Sequence, residues 1–97
     1  MSVNELGKYR CMGKYAKLRQ RIIAGEADNN IEFSELCELL VRLGFRERVK
    51  GSHHIFSKDG VAEIVNLQPK GSKAKSYQVK QIRSIINAYG LGGRDVD

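Results

Sequence analysis

The stretch HHIFSKDGVAEIVNL, residues 53–67, decides the fold of this chain. Two runs rich in β-branched and aromatic residues flank Lys58-Asp59-Gly60, a pattern that predicts a β-hairpin. A two-residue loop would pair Glu63 with Phe56 and bury a carboxylate beside an apolar ring, so a three-residue loop is favoured. The core face of the hairpin is then predicted to carry His54, Phe56, Ala62 and Ile64. His53 and Ile55 are predicted to point outward.

Further secondary structure is predicted before this hairpin. The segment FRERVK, residues 45–50, alternates loosely between apolar and polar side chains and predicts a strand. The segment EFSELCELLVRLGF, residues 32–45, has apolar residues at helical spacing and a stop signal at Gly44, which predicts an amphipathic helix. Residues 8–24 predict a basic helix that ends at Gly25.

After the hairpin, QPKGSKAKS, residues 68–76, predicts a polar, mobile loop. Ser76 is the predicted cap of a last helix that ends at Gly90. The buried stripe of this helix is predicted to consist of Val79, Ile82, Ile86 and Tyr89. The order helix, helix, three antiparallel strands, helix is typical of an α+β fold with the helices packed on one face of a small sheet. We expect a basic N-terminal helical extension over residues 1–30, a main domain over 31–91 and a frayed tail over 92–97.

The distribution of charge indicates a polyanionic partner. The chain carries 17 Lys and Arg against 11 Asp and Glu, a formal net charge of +6. Residues 6–25 and residues 64–94 each hold six basic residues and no acid, whereas most carboxylates lie within residues 26–47. The favoured interpretation is a nucleic-acid-binding surface formed by the basic segments.

The two cysteines and the hydropathy pattern exclude several other classes of protein. Cys11 and Cys37 have no Cys-x-x-Cys spacing, and no secretory leader precedes them, so no disulfide framework is predicted. Cys37 falls on the apolar stripe of a predicted helix and is expected to be a small core residue. No run approaches the roughly 18 apolar residues that a membrane span needs, so the cytoplasm is the expected location.

The adjacent His53 and His54 are the candidate functional residues. Neighbouring strand residues point to opposite faces, so the two imidazoles cannot bind one metal ion together, and neither a cysteine nor a third histidine lies near in sequence. No metal and no other cofactor is therefore expected. A nucleophilic triad is not predicted either, because the sequence has no Gly-x-Ser-x-Gly motif and neither cysteine lies beside a histidine. An outward-facing imidazole that titrates near neutrality can instead exchange a proton with a ribose 2′-hydroxyl or a leaving oxygen, which makes His53 the candidate acid/base and His54 a structural residue.

The run Gly51-Ser52-His53-His54-Ile55-Phe56 resembles a motif of the HicA-type toxins of bacterial toxin–antitoxin systems. A helix that ends in LGF, residues 43–45, precedes it, and a helix that closes on YGL, residues 89–91, follows. The resemblance covers about residues 31–91. The chain departs from minimal members in its extension before residue 31 and in the long segment 68–75.

This resemblance implies a fold like that of a double-stranded-RNA-binding domain and cleavage of mRNA without a metal. The essential histidine of the family corresponds to His53, with Gly51 and Ser52 as its motif neighbours. The implied protein partner is a HicB-type antitoxin that binds the toxin and masks this histidine.

The leading hypothesis is therefore an endoribonuclease toxin with His53 as general acid/base. Its candidate RNA-binding residues are Lys50, Gly51, Ser52, Lys73 and Lys75. The alternative is a non-catalytic RNA-binding module, which would recognise A-form RNA by shape and would not need His53. A protein that only binds other proteins is a weaker alternative because it leaves the basic segments unexplained. The free toxin is expected to be a monomer.

Overall fold

A three-stranded sheet and three helices make up most of the described part of this computed structural model, which comprises residues 13–92 and Val96. The helices are α1 (Lys14–Ala24), α2 (Phe33–Arg42) and α3 (Ser76–Tyr89). The strands are β1 (Arg46–Lys50), β2 (His53–Lys58), β3 (Val61–Leu67), β4 (Pro69–Lys70) and β5 (Lys73–Ala74). Strands β1, β2 and β3 form an antiparallel sheet in sequence order, and β4 pairs with β5. The predicted α+β fold with a three-stranded antiparallel sheet is confirmed.

The helices cover one face of this sheet because their apolar stripes and the inner strand residues bury each other. Phe56, Val65 and Leu67 on the sheet have no exposed surface and join one core cluster with the buried residues of α1, α2 and α3. Helix α2 buries five of its ten residues, which are Phe33, Leu36, Cys37, Leu39 and Leu40. The amphipathic pattern of residues 32–45 thus corresponds to a helix whose apolar face is buried in the core.

The ends of two helices differ from the prediction. Helix α1 begins at Lys14, after Gly13 in an extended conformation, and the predicted helical residues 8–12 lie outside the described part of the chain. It ends as predicted, with Gly25 in the left-handed region at a φ of 69°. Ser76 is the first residue of α3 and not its cap. The capping position belongs to Lys75, which makes no side-chain capping hydrogen bond.

The predicted register of the β2–β3 hairpin is wrong. Lys58 pairs with Val61, which leaves a two-residue loop, and Phe56 pairs with Val65. Between these two pairs β3 contains residues 62–64, whereas β2 contains Ser57, so β3 bulges. The bulge places Val65 opposite Phe56 in the core. Ala62 is exposed, and Ile64 is 66% exposed on the opposite face of the sheet.

Tyr89 explains how this bulge is stabilised. Its hydroxyl accepts a hydrogen bond from the backbone N–H of Ala62 at 3.2 Å and donates one to the Glu63 carboxylate at 2.7 Å. The bulge thus keeps Glu63 out of the core without a three-residue loop. Tyr89 was predicted to lie in the buried stripe of α3, but it is 37% exposed at the edge of the helix. The register was mispredicted because a contact from a distant helix supports the irregular strand.

The segment 68–76 is not the featureless loop that was predicted. Pro69 pairs with Ala74 and Lys70 with Lys73 in a short hairpin. The backbone N–H of Ala74 donates to the carbonyl of Ile31 at 2.8 Å, and the N–H of Phe33 donates to the carbonyl of Ser72 at 2.9 Å. These bonds attach the hairpin to the beginning of α2, since they satisfy backbone groups that a solvated loop would leave to water.

Helix α1 belongs to the same hydrophobic core as the sheet. Ala16, Leu18 and Ile22 are buried in it, and α1 packs against α2 and α3. The Arg83 guanidinium on α3 donates two hydrogen bonds to the Asp28 carboxylate, at 3.0 and 2.9 Å, just beyond α1. This contact holds the pKa of Asp28 below its ordinary value of 3.8. Of the tail over residues 92–97, Gly92 and a buried Val96 are described, and the remaining positions lie outside the described residues.

Candidate active site and nucleic-acid interface

The turn between β1 and β2 positions the candidate motif. Gly51 adopts a φ of +61°, a left-handed conformation that side chains other than glycine rarely take, and Ser52 completes the turn. The tight turn places Lys50 directly opposite His53 in the ladder. The Ser52 hydroxyl accepts a hydrogen bond from the Gln68 side chain at 3.0 Å. The structure therefore brings Lys50, Gly51, Ser52 and His53 together at one end of the sheet.

His53 is exposed on the outer face of the sheet, and its ring is oriented by Asn66. The His53 Nδ1 atom lies 3.1 Å from the Asn66 Oδ1 atom on β3. An amide oxygen only accepts hydrogen bonds, so this contact requires a proton on Nδ1 and, in the neutral ring, leaves Nε2 without one. The lone pair of Nε2 then remains available to take a proton from a bound molecule. Sequence reasoning did not identify Asn66, because its contact with His53 depends on the corrected register.

His54 points to the opposite face, as predicted, and is less exposed than His53. Its Nδ1 atom lies 2.8 Å from a Glu47 carboxylate oxygen on β1. Its ring meets the Phe33 ring edge-on, with the ring centroids 5.0 Å apart. Through these contacts, His54 packs between β2 and α2. The predicted contrast in exposure between the two histidines is confirmed.

A row of basic side chains lies beside His53, and sequence reasoning identified Lys50 but missed its two arginines. The ladder pairs Arg46 with Ser57, Arg48 with Ile55 and Lys50 with His53, and directly paired residues share a face. Arg46, Arg48 and Lys50 therefore project from the outer face, and all three are exposed. We call this set the β1 basic row. The β1 basic row could have been predicted from the alternation of residues in RERVK together with the two-residue Gly51-Ser52 turn.

The other two candidate RNA-binding lysines lie elsewhere. Lys73 and Lys75 line an open cavity of about 790 Å³ together with Lys70 and Tyr77. The Lys73 ammonium also forms an ion pair with Glu32 at 2.6 Å. His53 is not among the residues that line this cavity. Two basic surfaces thus exist where the sequence suggested one.

The outer face has the properties of a binding surface for an extended anion. Ile55 and Ile64 lie between the charged side chains and line a shallow cavity with Arg46 and Arg48. Phosphates can contact the guanidinium and ammonium groups while the flat aliphatic surface carries the less polar parts of a ligand. His53 lies at one end of the β1 basic row, directly opposite Lys50 in the ladder.

A family model described as the HicA toxin of bacterial toxin–antitoxin systems matches residues 33–91. The chain belongs to this family. The matched segment runs from the start of α2 to just beyond α3, so it contains the motif turn, both histidines and the whole sheet of the HicA domain. Membership of the HicA family implies a HicB-type antitoxin as partner. No curated protein and no solved structure matches the chain.

Within the described residues of this HicA-family chain, no helix has both the length and the apolar character required to traverse a lipid bilayer. The likeness to double-stranded-RNA-binding domains, which the resemblance implied, stays a prediction.

Proposed function

We propose that this HicA-family toxin is an endoribonuclease that cleaves mRNA with His53 as general acid/base and without a metal. The observation that carries the proposal is the environment of His53, which is exposed, oriented by Asn66 and adjacent to the β1 basic row. Orientation and access are what a proton-transfer group requires, and neighbouring cations attract the phosphodiester that is to be cleaved.

The reaction needs only the RNA and proton transfer. A ribose 2′-oxygen attacks the adjacent phosphorus atom, the bond to the 5′-oxygen breaks, and a 2′,3′-cyclic phosphate and a 5′-hydroxyl result. In this proposal the Nε2 atom of His53 takes the proton from the 2′-hydroxyl or, when protonated, gives one to the departing 5′-oxygen. Lys50, directly across the ladder, offsets the charge that develops on the phosphate oxygens. Gly51 and Ser52 hold the turn that places both residues.

The RNA path follows the outer face of the sheet. The β1 basic row binds phosphates on one side of the scissile bond. Lys73 and Lys75 remain in the proposal as contacts to other phosphates of the RNA, because their cavity is not lined by His53. The HicB-type antitoxin is proposed to cover His53, and the free toxin is proposed to act as a monomer in the cytoplasm.

The β1 basic row by itself favours a second candidate function, a non-catalytic RNA-binding module. Its charges attract RNA whether or not His53 reacts, since phosphate contacts need no proton transfer. The two candidates differ in what happens when His53 is replaced.

The experiment is a cleavage assay with purified His53→Ala and His54→Ala variants. The His53 side chain is exposed and gives up one surface hydrogen bond, so this variant should fold and still bind RNA. Its cleavage rate should fall by about a hundredfold to ten-thousandfold, the usual contribution of a general acid/base. His54→Ala should lose about 1 kcal/mol of stability while each folded molecule still cleaves.

Circular dichroism establishes that both variants are folded before rates are compared. Full cleavage by a folded His53→Ala protein would refute the catalytic assignment and leave the RNA-binding module as the better proposal. Growth arrest on expression, tested with both variants and with a HicB-type antitoxin, provides the corresponding measurement in cells.

A further inference from the structure

Three side chains with metal-binding atoms meet on the inner side of the sheet. They come from different elements: Cys37 from α2, Glu47 from β1 and His54 from β2. The thiol sulfur, a carboxylate oxygen and an imidazole nitrogen all lie within 4.8 Å of one another. From the sequence, His54 was not expected to have a cysteine near it. The fold brings Cys37 next to His54, although the two residues are 17 positions apart in the sequence (54 − 37).

The three groups are accessible although they are partly sheltered. They line an open cavity of about 560 Å³, whose wall also includes Phe33 and Ser72. A Glu47 carboxylate oxygen lies 2.8 Å from the His54 Nδ1 atom, and among the described residues no lysine or arginine lies within ion-pair distance of this carboxylate. Cys37 is 8% exposed, and the Phe33 ring supports one side of the His54 imidazole. A solvated ion can therefore approach through the cavity and finds ligands that no competing cation holds.

We propose that Cys37, Glu47 and His54 form a binding site for a zinc ion, with water from the cavity as the fourth ligand. A thiolate, an imidazole and a carboxylate are the three ligand types that zinc takes from proteins, and a thiolate disfavours Mg²⁺ and Ca²⁺. Zinc–ligand bonds of about 2.0–2.3 Å place tetrahedral ligand atoms roughly 3.5 Å apart. The three ligand atoms lie within 4.8 Å of one another, so metal binding requires the side chains to move closer together. Binding releases the thiol proton to solvent as the Zn–S bond forms.

The site is separate from the proposed catalytic centre. His53 and His54 are consecutive in β2, so their side chains lie on opposite faces of the sheet. An ion at Cys37, Glu47 and His54 would connect α2 to β1 and β2, and it would stabilise the folded chain because the unfolded chain does not hold the three ligands together. The proposal concerns a structural site, and the mechanism at His53 does not depend on it.

The test uses cobalt as a spectroscopic substitute for zinc in the untagged, full-length protein. A cobalt ion bound to a thiolate produces a charge-transfer absorption in the near ultraviolet, which reports sulfur ligation directly. Cys11 is a second cysteine in the chain, so all variants are made in a Cys11→Ser background. We expect one cobalt ion per chain, displacement of the cobalt by zinc, and a higher Tm with zinc than without it.

Adjacent histidines provide a matched pair of variants. His54→Asn should weaken cobalt binding at least about tenfold, since loss of even an indirect supporting contact costs that much. His53→Asn, on the other face, should bind cobalt as the parent does. Cys37→Ala should lose the charge-transfer band, and Glu47→Gln should weaken binding while circular dichroism shows both variants folded. The proposal is overturned if the band is absent from the parent, survives in Cys37→Ala, or responds equally to the two histidine variants.

Discussion

Removal of the β1 basic row should reduce RNA affinity in a way that depends strongly on salt. The change is the triple replacement of Arg46, Arg48 and Lys50 by Ala, made in the His53→Ala background so that bound RNA is not cleaved. All three side chains are exposed, and the ion pair of Arg46 with Asp59 lies at the surface. We therefore expect the free energy of unfolding to change by no more than about 0.5 kcal/mol per site.

The expected magnitude follows from the number of phosphate contacts. Each contact to single-stranded nucleic acid contributes about 0.7 to the slope of log affinity against log salt concentration. Three side chains on one face of β1 correspond to three contacts, so the slope should become shallower by about 2. At 0.1 M salt this is a loss of affinity of roughly a hundredfold, which should shrink towards zero near 1 M. Fluorescence anisotropy with a labelled RNA, measured over this range, gives both quantities.

The matched control replaces Lys70, Lys73 and Lys75 by Ala. Each triple variant removes three positive charges from a chain of formal net charge +6, so a loss caused by bulk charge would be the same in both. We expect the lysine triple to lose less affinity at 0.1 M salt, because that cavity is lined neither by His53 nor by the β1 basic row. Equal losses would refute a specific RNA path on the sheet. A larger loss in the lysine triple would move the interface to the second basic surface.

Two further predictions concern the fold. Val65→Ala should lower the free energy of unfolding by about 2 kcal/mol, because Val65 is fully buried opposite Phe56. Ile64→Ser should change it by less than about 0.5 kcal/mol, because Ile64 is exposed. If urea denaturation gave similar losses for the two variants, the observed register would be contradicted. Asp28→Asn should cost about 1–2 kcal/mol at neutral pH, because Arg83 stabilises the ionised carboxylate. Since the pKa of Asp28 is lower in the folded than in the unfolded chain, this stabilisation is present above pH 3.8 and disappears as the pH falls through the folded value. The two proteins should therefore converge in stability as the pH falls below 3.8, and a difference that does not shrink in acid would argue against the ion pair as its cause.

Local patterns in the sequence were sufficient for the type and order of most elements. The apolar spacing in residues 32–45 predicted α2, because a helix that buries one face must repeat its apolar residues at that period. Gly25 and Gly90 marked helix ends because both adopt left-handed conformations there. The outward orientation of His53 also followed from sequence, since adjacent strand residues alternate between faces and Phe56 belongs in the core.

Tertiary contacts determined the β3 bulge and the β4–β5 hairpin, which local sequence patterns did not predict. The bulge in β3 depends on the Tyr89 hydroxyl, 27 residues from Ala62, and it exchanged Ile64 for Val65 in the core. The hairpin of β4 and β5 depends on backbone bonds to Ile31 and Phe33. In both cases the preferred local conformation changed because a distant element supplied hydrogen bonds that the segment itself could not make.

The same division applies to the functional residues. The sequence by itself determined that a basic chain of the HicA family carries a solvent-facing His53 after a glycine turn, because charge, alternation and turn chemistry are local properties. Only the tertiary structure decided which cations accompany that histidine. Strand pairing placed Arg48 and Lys50 on its face, whereas Lys73 lines a cavity that does not include His53. Packing of α2 brought Cys37 to His54. Proximity between residues distant in sequence arises from pairing register and helix packing, and neither is encoded in a short window of the chain.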